Sequence, residues 1–172
     1  LVVPIILNHV NPQYMPRVLI KDILRQLHEL QEGSRWFDQS LKDKMAGLTD
    51  EEAFTRPMPG LHSVAEHISH IIAWRRECLL RFTGQLNDLM NSPEDWIDNE
   101  TLKKTGWAKL KESLYESTDQ LIQALQDQDD AYLEIPFRDT EYNNHYLIEG
   151  IIQHDLYHLG QMGITVKMLK SK

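Results

Sequence analysis

The pattern that decides the fold of this chain lies in residues 147–161, Leu147-Ile-Glu-Gly-Ile-Ile-Gln-His-Asp-Leu-Tyr-His-Leu-Gly-Gln161. Their aliphatic side chains recur at intervals of three and four residues, which predicts a helix with one apolar face. The same periodicity continues on both sides and predicts a helix from Asn144 to Lys170. His154 and His158 lie one turn apart in the middle of that face. Because an apolar face must pack against other elements, we expect both imidazoles to point into the interior of a helical bundle.

Helical periodicity also covers residues 17–45, which are predicted to form the first helix. Gly33 and Ser34 are a weak point at which we expect a kink. Three large apolar residues continue the pattern beyond it: Trp36, Phe37 and Leu41.

The second predicted helix begins at Ser63, a favourable N-cap residue, with Glu66 at the capping-box position three residues later. It follows a proline-rich loop at residues 56–60 and ends at Gly84. Residues 75–77, Arg-Arg-Glu, are predicted to lie on a solvated face of this helix.

The third predicted helix covers residues 101–127. The connection before it, residues 84–100, is long for a helix–helix loop, so the third helix need not be the antiparallel neighbour of the second. Residues 132–136 are predicted to be extended, as a loop or one short strand, and residues 138–143 to form a polar loop. Four long helices predict an all-α fold, in which residues 1–172 form a single four-helix-bundle domain with a long connection between helices two and three.

The composition excludes several classes of protein. With 172 residues the chain fits one domain, and its net charge of -8 argues against nucleic acid or an anionic membrane as a partner, because both require a basic surface. No apolar run approaches the roughly 18 residues of a membrane span. The segment Leu1–Leu7 is apolar but is interrupted by Pro4 and lacks the features of a signal peptide. The single cysteine, Cys78, suits a reducing compartment, so we expect a cytoplasmic protein.

Histidines are clustered in the sequence: six of the eight fall in two windows, one in the second predicted helix and one in the fourth. Two neighbouring imidazoles in an apolar interior need hydrogen-bonding partners, and a shared metal ion would satisfy both. Neutral imidazole is a common ligand of zinc, nickel, copper and iron, although a spacing of four also arises by chance. A third ligand would come from the second helix. There His62 is expected to be solvated, and the helical wheel slightly favours His67 over His70 as the more buried.

A second stretch, residues 62–74, has the sequence His62-Ser-Val-Ala-Glu-His-Ile-Ser-His-Ile-Ile-Ala-Trp74. It resembles the second-helix motif of the DinB-like family, which consists of DNA-damage-inducible, metal-dependent bundle proteins. In that motif a ligand histidine follows the Ser or Thr cap by seven residues, and this position falls on His70. Residues 147–161 resemble the family's fourth-helix motif, whose two histidines fall on His154 and His158. The resemblance covers nearly the whole chain, and it makes His67 a neighbour of the site rather than a ligand.

The resemblance implies an up-down-down-up bundle that holds one divalent transition metal, zinc or nickel, on His70, His154 and His158. Three histidines leave a coordination position open for water or a thiolate. Some members of the family are thiol S-transferases that use a low-molecular-weight thiol, others resemble metal-dependent hydrolases, and many are dimeric. Many other members have no known activity. The first of two hypotheses is therefore an enzyme acting on a small molecule, in a family where homodimers are common. The alternative is a non-catalytic module in which the metal serves structure or partner binding.

Four more residues are candidates for roles around the metal. Asp155 and Glu66 could accept the outer N–H of a ligand imidazole or act as a general base, although Glu66 is also expected to be a solvated capping residue. Tyr157 and Gln161 could donate or accept hydrogen bonds to a substrate. Cys78 is too far along its helix to share the metal and is interpreted as a small buried hydrophobe. The four tryptophans are expected to pack inside the bundle: Trp36, Trp74, Trp96 and Trp107.

Overall fold

The computed structural model describes residues 16–33, 36 and 38–171. Within these residues the chain forms eight α-helices and no β-strand. The four long helices are α1 (Val18–Gln31), α4 (Val64–Phe82), α6 (Trp107–Leu125) and α8 (Asn144–Lys170). The four short ones are α2 (Leu41–Met45), α3 (Asp50–Ala53), α5 (Asn99–Thr105) and α7 (Asp130–Leu133). The prediction of an all-α helical bundle is confirmed, whereas Leu1–Leu7, Ser34 and Phe37 lie outside the described residues.

Two hydrophobic clusters fill the bundle and give the directions of the long helices. The first cluster combines the first halves of α4 and α6 with the second half of α8 and the end of α1. The second cluster combines the later parts of α4 and α6 with the first half of α8 and the start of α1. Helices α4 and α6 therefore run in one direction, and α1 and α8 run in the other. Helix α4 packs against both α6 and α8, so it is the central element of the fold.

The prediction of one helix over residues 17–45 is wrong, because the chain leaves α1 after Gln31 and begins α2 at Leu41. Gly33 lies tightly against the end of α1: a Cβ placed on it would be 2.7 Å from the Cα of Glu29. Ser40 then starts α2 with its own capping box, which satisfies the free N–H groups of a new helix. Trp36 is fully exposed and does not continue the apolar face.

The prediction of one helix over residues 101–127 is also wrong. Gly106, at a φ of 84°, separates α5 from α6 and serves as the N-cap residue of α6. This left-handed conformation suits glycine, which has no Cβ to clash. The connection between α4 and α5 is therefore residues 83–98, with one 3-10 turn at Leu89–Asn91.

The prediction of an extended segment at residues 132–136 is wrong for its first half, which belongs to α7. Asp129 caps this short helix by accepting a hydrogen bond from the backbone N–H of Ala131 at 2.9 Å. Only an isolated bridge between Pro136 and Asn143 follows in the described residues.

The two helices that carry the histidine windows follow the sequence prediction closely. Ser63 and Glu66 form a reciprocal capping box that starts α4, and α8 has the predicted bounds, with Asn143 as its N-cap. These caps fix where each helix begins. They therefore also fix which of its residues face the neighbouring helix.

Candidate metal centre

His70 from α4 and His154 and His158 from α8 meet where these two helices pack together. One ligand atom from each ring lies within 4.8 Å of the other two. The Nε2 atoms of His70 and His154 are 3.0 Å apart, close to the roughly 3.3 Å expected between two nitrogens that bind one tetrahedral zinc. His70 and His158 are buried, whereas the His154 side chain keeps 22% of its surface exposed. The cluster therefore lies near the bundle surface, with His154 at its outer edge.

The outer nitrogens of two of these rings face oxygen atoms. His70 Nδ1 is 2.8 Å from the carbonyl oxygen of Asp95 and 3.1 Å from its carboxylate. His158 Nδ1 is 2.7 Å from the side-chain oxygen of Gln161. Because these oxygens accept hydrogen bonds, each Nδ1 carries the proton of its neutral ring and leaves a lone pair on Nε2.

The third ring, His154, has its Nδ1 atom 3.4 Å from the carboxylate of Asp155. This contact favours the same tautomer, so the Nε2 lone pairs of His70 and His154 face each other at 3.0 Å, and one ligand nitrogen of His158 completes the group within 4.8 Å. Only a proton or a cation can relieve such an arrangement, and imidazole nitrogen is a natural ligand of transition metals. The donor set of the cluster therefore fits a divalent transition metal. The assignment of His70, His154 and His158 as its ligands stays a prediction.

Asp155 is fully buried and makes a salt bridge with Arg75, whose Nε is 2.7 Å from the carboxylate. The prediction that residues 75–77 lie on a solvated face is therefore wrong: Arg75 and Glu77 are buried, and only Arg76 is exposed. Arg75 follows Ile71 by four residues, so it lies on the apolar stripe of α4. That spacing is the sequence signal that could have identified it.

The Arg75 guanidinium continues a hydrogen-bond network across the bundle. Its Nη1 donates to Thr118 Oγ1 at 2.7 Å and to Ser117 Oγ at 3.0 Å, both in α6. Thr118 in turn donates to the side-chain oxygen of Gln31, at the end of α1, at 2.8 Å. Together with the Arg75–Asp155 salt bridge, these contacts connect all four long helices. They end at Asp155, the residue whose carboxylate faces His154 Nδ1.

Trp96, in the connection between α4 and α5, is stacked between two histidine rings. Its centroid is 3.7 Å from that of His62 and 3.9 Å from that of His70, and both pairs are nearly parallel. Trp74 donates its indole N–H to the Asp95 carboxylate at 2.8 Å. Trp74 also packs against the second hydrophobic cluster, as expected, whereas Trp96 packs between the histidines, contrary to expectation. Stacking also covers one face of His62, which is only partly solvated.

His67 is buried beside the cluster but is not part of the group of three. Its ring centroid is 5.3 Å from that of His158, and it contacts Trp96 edge-on. Its Nδ1 has no hydrogen-bond partner among the described residues. Burial, together with the neighbouring His62 and His70, lowers the pKa of His67 to about 4.

Burial also favours the neutral form of His158 and His70. It lowers the pKa of His158 to about 3, with further lowering by the neighbouring His154, His70 and His67. The pKa of His70 is lowered as well, chiefly by burial. Metals bind the deprotonated imidazole nitrogen, so the protein environment favours the form that binds.

The remaining candidates take different places. Glu66 is buried rather than solvated: it accepts a hydrogen bond from the backbone N–H of Ser63 at 2.8 Å and pairs with Arg56, which ties it to the start of α4. Gln161 is bonded to His158. Tyr157 is exposed, with its ring edge-on to His158 at 5.0 Å between centroids.

The sequence pattern does not identify Asp95 or Trp96 as neighbours of the histidine cluster. They lie in a connection without helical periodicity, about 25 residues after His70, and no spacing rule links such a segment to a helix. Arg75 belongs to a charged triplet, a pattern typical of a solvated face, and this pattern conceals its buried position. All three residues contact either a clustered histidine or the carboxylate next to one.

Within the described residues, no helix has the length and apolar character required to cross a membrane. No curated protein matches the sequence. The model of the DinB superfamily matches residues 38–162, which include α2 to α7, most of α8 and all three clustered histidines. Since this match covers more than half of the chain, the protein belongs to the DinB superfamily.

Proposed function

We propose that this protein is a metal-dependent enzyme in which His70, His154 and His158 hold one divalent transition metal, zinc or nickel. The convergence of three imidazole nitrogens within 4.8 Å of one another, on rings whose Nδ1 atoms face oxygens, carries this proposal. A site with three protein ligands leaves room for water or substrate, which is typical of catalytic rather than structural zinc. Such a cation supplies one kind of chemistry here: it lowers the pKa of a bound water or thiol, so that the nucleophilic form exists near neutral pH.

The protein residues orient the ligands and shield them. Asp95, Asp155 and Gln161 hold the three rings by their Nδ1 atoms, and partners of this kind typically change metal affinity or activity by about 10- to 100-fold. The indole of Trp96 covers one face of His70 and limits the access of water from that side.

Neither carboxylate that the sequence suggested as a general base is free for that role. Asp155 is held by Arg75, and Glu66 by Arg56 and the start of α4. The nucleophile therefore loses its proton to solvent at the exposed edge of the site, near His154. Tyr157 is an exposed protic side chain whose ring lies edge-on to that of His158.

We propose thiol S-transfer as the reaction. A low-molecular-weight thiol R–SH loses its proton and attacks an electrophilic carbon that bears a halide. A new S–C bond forms, the carbon–halogen bond breaks, and one proton and one halide ion are released. Hydrolysis of a small substrate by activated water is the second form of the same chemistry.

The metal assignment is tested by elemental analysis of protein purified without a histidine tag. We expect about one zinc or nickel per chain, and loss of tight binding in His70→Ala, His154→Ala and His158→Ala. His67→Ala is the matched control, because His67 is buried beside the cluster but points no nitrogen into it. Protein that contains no metal and rebinds none would overturn the proposal, as would a requirement for His67 instead of His70.

Catalysis is tested on the metal-loaded protein with a thiol and a chlorinated aromatic substrate, by following halide release. The His154→Ala variant is the control for background reaction. Metal binding with neither thiol transfer nor hydrolysis of small ester and amide substrates would favour the non-catalytic metal module over the enzyme.

A further inference from the structure

A cavity of about 200 Å³ lies between α4 and α8, directly beside the histidine cluster. Trp74 and His154 form one end, and Arg81 and Tyr146 form the other. His154 and Tyr146 are eight positions apart in α8, which corresponds to a distance of about 12 Å along the helix axis. The cavity therefore leads from the proposed metal ligands toward the opposite end of the bundle.

The walls of this cavity are mainly apolar. Leu147 and Ile151 line it from α8, and the buried Cys78 lines it from α4. Burial raises the pKa of the Cys78 thiol to about 12, so this side chain is a protonated, weakly polar wall rather than a nucleophile. An apolar cavity of about 150 Å³ is large enough to bind benzene. The space between α4 and α8 therefore accommodates a ring or a short aliphatic group.

One polar atom among the lining residues lacks a partner. The Glu77 side chain is only 2% exposed, and its Oε1 accepts a hydrogen bond from Arg81 Nε at 2.8 Å. Its Oε2 has no hydrogen-bond partner among the described residues. A buried acceptor without a donor is unfavourable. Glu77 lines both this cavity and a second one against α5 and α6, so a molecule with an O–H or N–H group bound in either could supply the donor.

We propose that this cavity binds a small apolar molecule that carries one hydrogen-bond donor, such as a phenol, an alcohol or an amine. The apolar body packs against Leu147, Ile151 and Cys78, and the Glu77 carboxylate, whose Oε2 is buried in this structure, turns toward the donor. The occupant is the body of the substrate, with its reacting end beside His154; this last step rests on the proposed function, whereas binding in the cavity does not.

Filling the cavity provides the test. Gly150 lines it, and a Cβ at this position would meet no atom within 4 Å, so Gly150→Phe introduces a ring without a clash at its base. Gly160 is the matched control: it lies in the same helix, a Cβ there also meets nothing within 4 Å, and it does not line the cavity. The probe is 4-fluorophenol, and its binding to the full chain is followed by fluorine NMR.

We expect millimolar binding to the unmodified protein and to Gly160→Phe, and binding weaker by at least about tenfold in Gly150→Phe. Equal binding by all three proteins would overturn the proposal. Glu77 also lines a second cavity, against α5 and α6. Equal binding by all three proteins would mean that the probe occupies this second cavity or another part of the protein.

The donor is tested by comparing 4-fluorophenol with fluorobenzene. We expect the phenol to bind about tenfold more tightly to the unmodified protein, because its O–H group can donate a hydrogen bond to Glu77 and fluorobenzene has no donor. Glu77→Gln should reduce this preference and leave the binding of fluorobenzene unchanged. Equal affinities for the two probes in the unmodified protein would refute donor recognition even if the variant failed to fold.

Cavity binding and metal binding are measured separately. Gly150→Phe should still bind Co²⁺ with the same visible spectrum as the unmodified protein, because it leaves all three histidines in place. A finding that the protein binds no metal would not change the fluorine NMR result. Failure of the probe to bind would leave the metal proposal intact.

Discussion

Arg75 of α4 and Asp155 of α8 form a salt bridge at 2.7 Å in which both side chains are fully buried. The other oxygen of the Asp155 carboxylate lies 3.4 Å from His154 Nδ1, so the bridge connects the bundle interior with the histidine cluster. Removing one member of such a pair leaves an uncompensated charge in a medium of low dielectric constant. That charge is strongly destabilising, whereas the intact pair contributes little by itself.

The first prediction concerns this pair. Arg75→Met keeps most of the side-chain volume but leaves Asp155 without its partner, so we expect the free energy of unfolding to fall by about 3–5 kcal/mol. Arg76→Met is the control, because Arg76 is exposed and should change stability by less than about 0.5 kcal/mol. Urea unfolding followed by circular dichroism measures both. A loss in Arg75→Met no larger than in Arg76→Met would show that the buried pair does not form.

The second prediction concerns the orientation of His158. Gln161→Leu removes the oxygen that faces Nδ1 of this ring, and we expect metal affinity to fall by about 10- to 100-fold. Gln153→Leu makes the same change at an exposed position of α8 and should leave affinity unchanged. Competition with a chelating dye measures the affinities. Equal affinities in the two variants would argue that Gln161 does not hold the ring.

The third prediction uses the stack of Trp96 on His70. Copper(II) quenches tryptophan fluorescence at short range, and the Trp96 centroid is 3.9 Å from that of a proposed ligand. We expect Cu²⁺ to quench the emission of the protein strongly, and Trp96→Phe to remove a large share of that quenching. Trp36→Phe should not, because Trp36 is fully exposed and contacts none of the clustered rings. The Trp74 centroid lies 5.7 Å from that of His154, so Trp74 should be quenched as well. Quenching that persists unchanged when both Trp74 and Trp96 are replaced by Phe would place the copper elsewhere.

The fourth prediction concerns acid stability. Burial alone would raise the pKa of Glu66, but hydrogen bonds from Arg56 and from the backbone of Ser63 outweigh it and hold the pKa below its usual value of 4.5. A carboxylate whose pKa is lowered by folding stabilises the protein above that usual value, and the contribution disappears as pH falls through the folded-state pKa. Unfolding free energies at pH 7 and at lower pH should show this loss.

Comparison of variants isolates the contribution of Glu66. At pH 7, Glu66→Gln should be less stable than the unmodified protein by about 1 kcal/mol. The difference should shrink as pH falls below 4.5. Glu51→Gln, at an exposed position of α3, should show no such pH-dependent difference. A gap between Glu66→Gln and the unmodified protein that stays constant with pH would contradict this assignment.

The parts of the fold that could be predicted are those with a repeating apolar pattern and a cap. Helix α8 has both, and its bounds were predicted correctly from Asn144 to Lys170. The break between α1 and α2 could not be predicted from periodicity, because Leu41 continues the apolar spacing of α1 across it. What interrupts the helix is a tight turn at Gly33 and a new cap at Ser40, which are local backbone features.

The candidate site shows the same division. His154 and His158 follow from helical spacing, whereas the wheel alone favoured His67 over His70, and only the family motif pointed to His70. Asp95 and Trp96 reach the cluster through the tertiary path of an irregular connection, which carries no periodic signal.

The adjacency of His154 and Asp155 in α8 has a mechanical consequence. One side chain faces the histidine cluster and the next faces the buried guanidinium of Arg75, so the two contacts impose the same rotation of the helix about its axis. Rotating α8 about its axis, or sliding it along that axis, would break the buried Arg75–Asp155 ion pair.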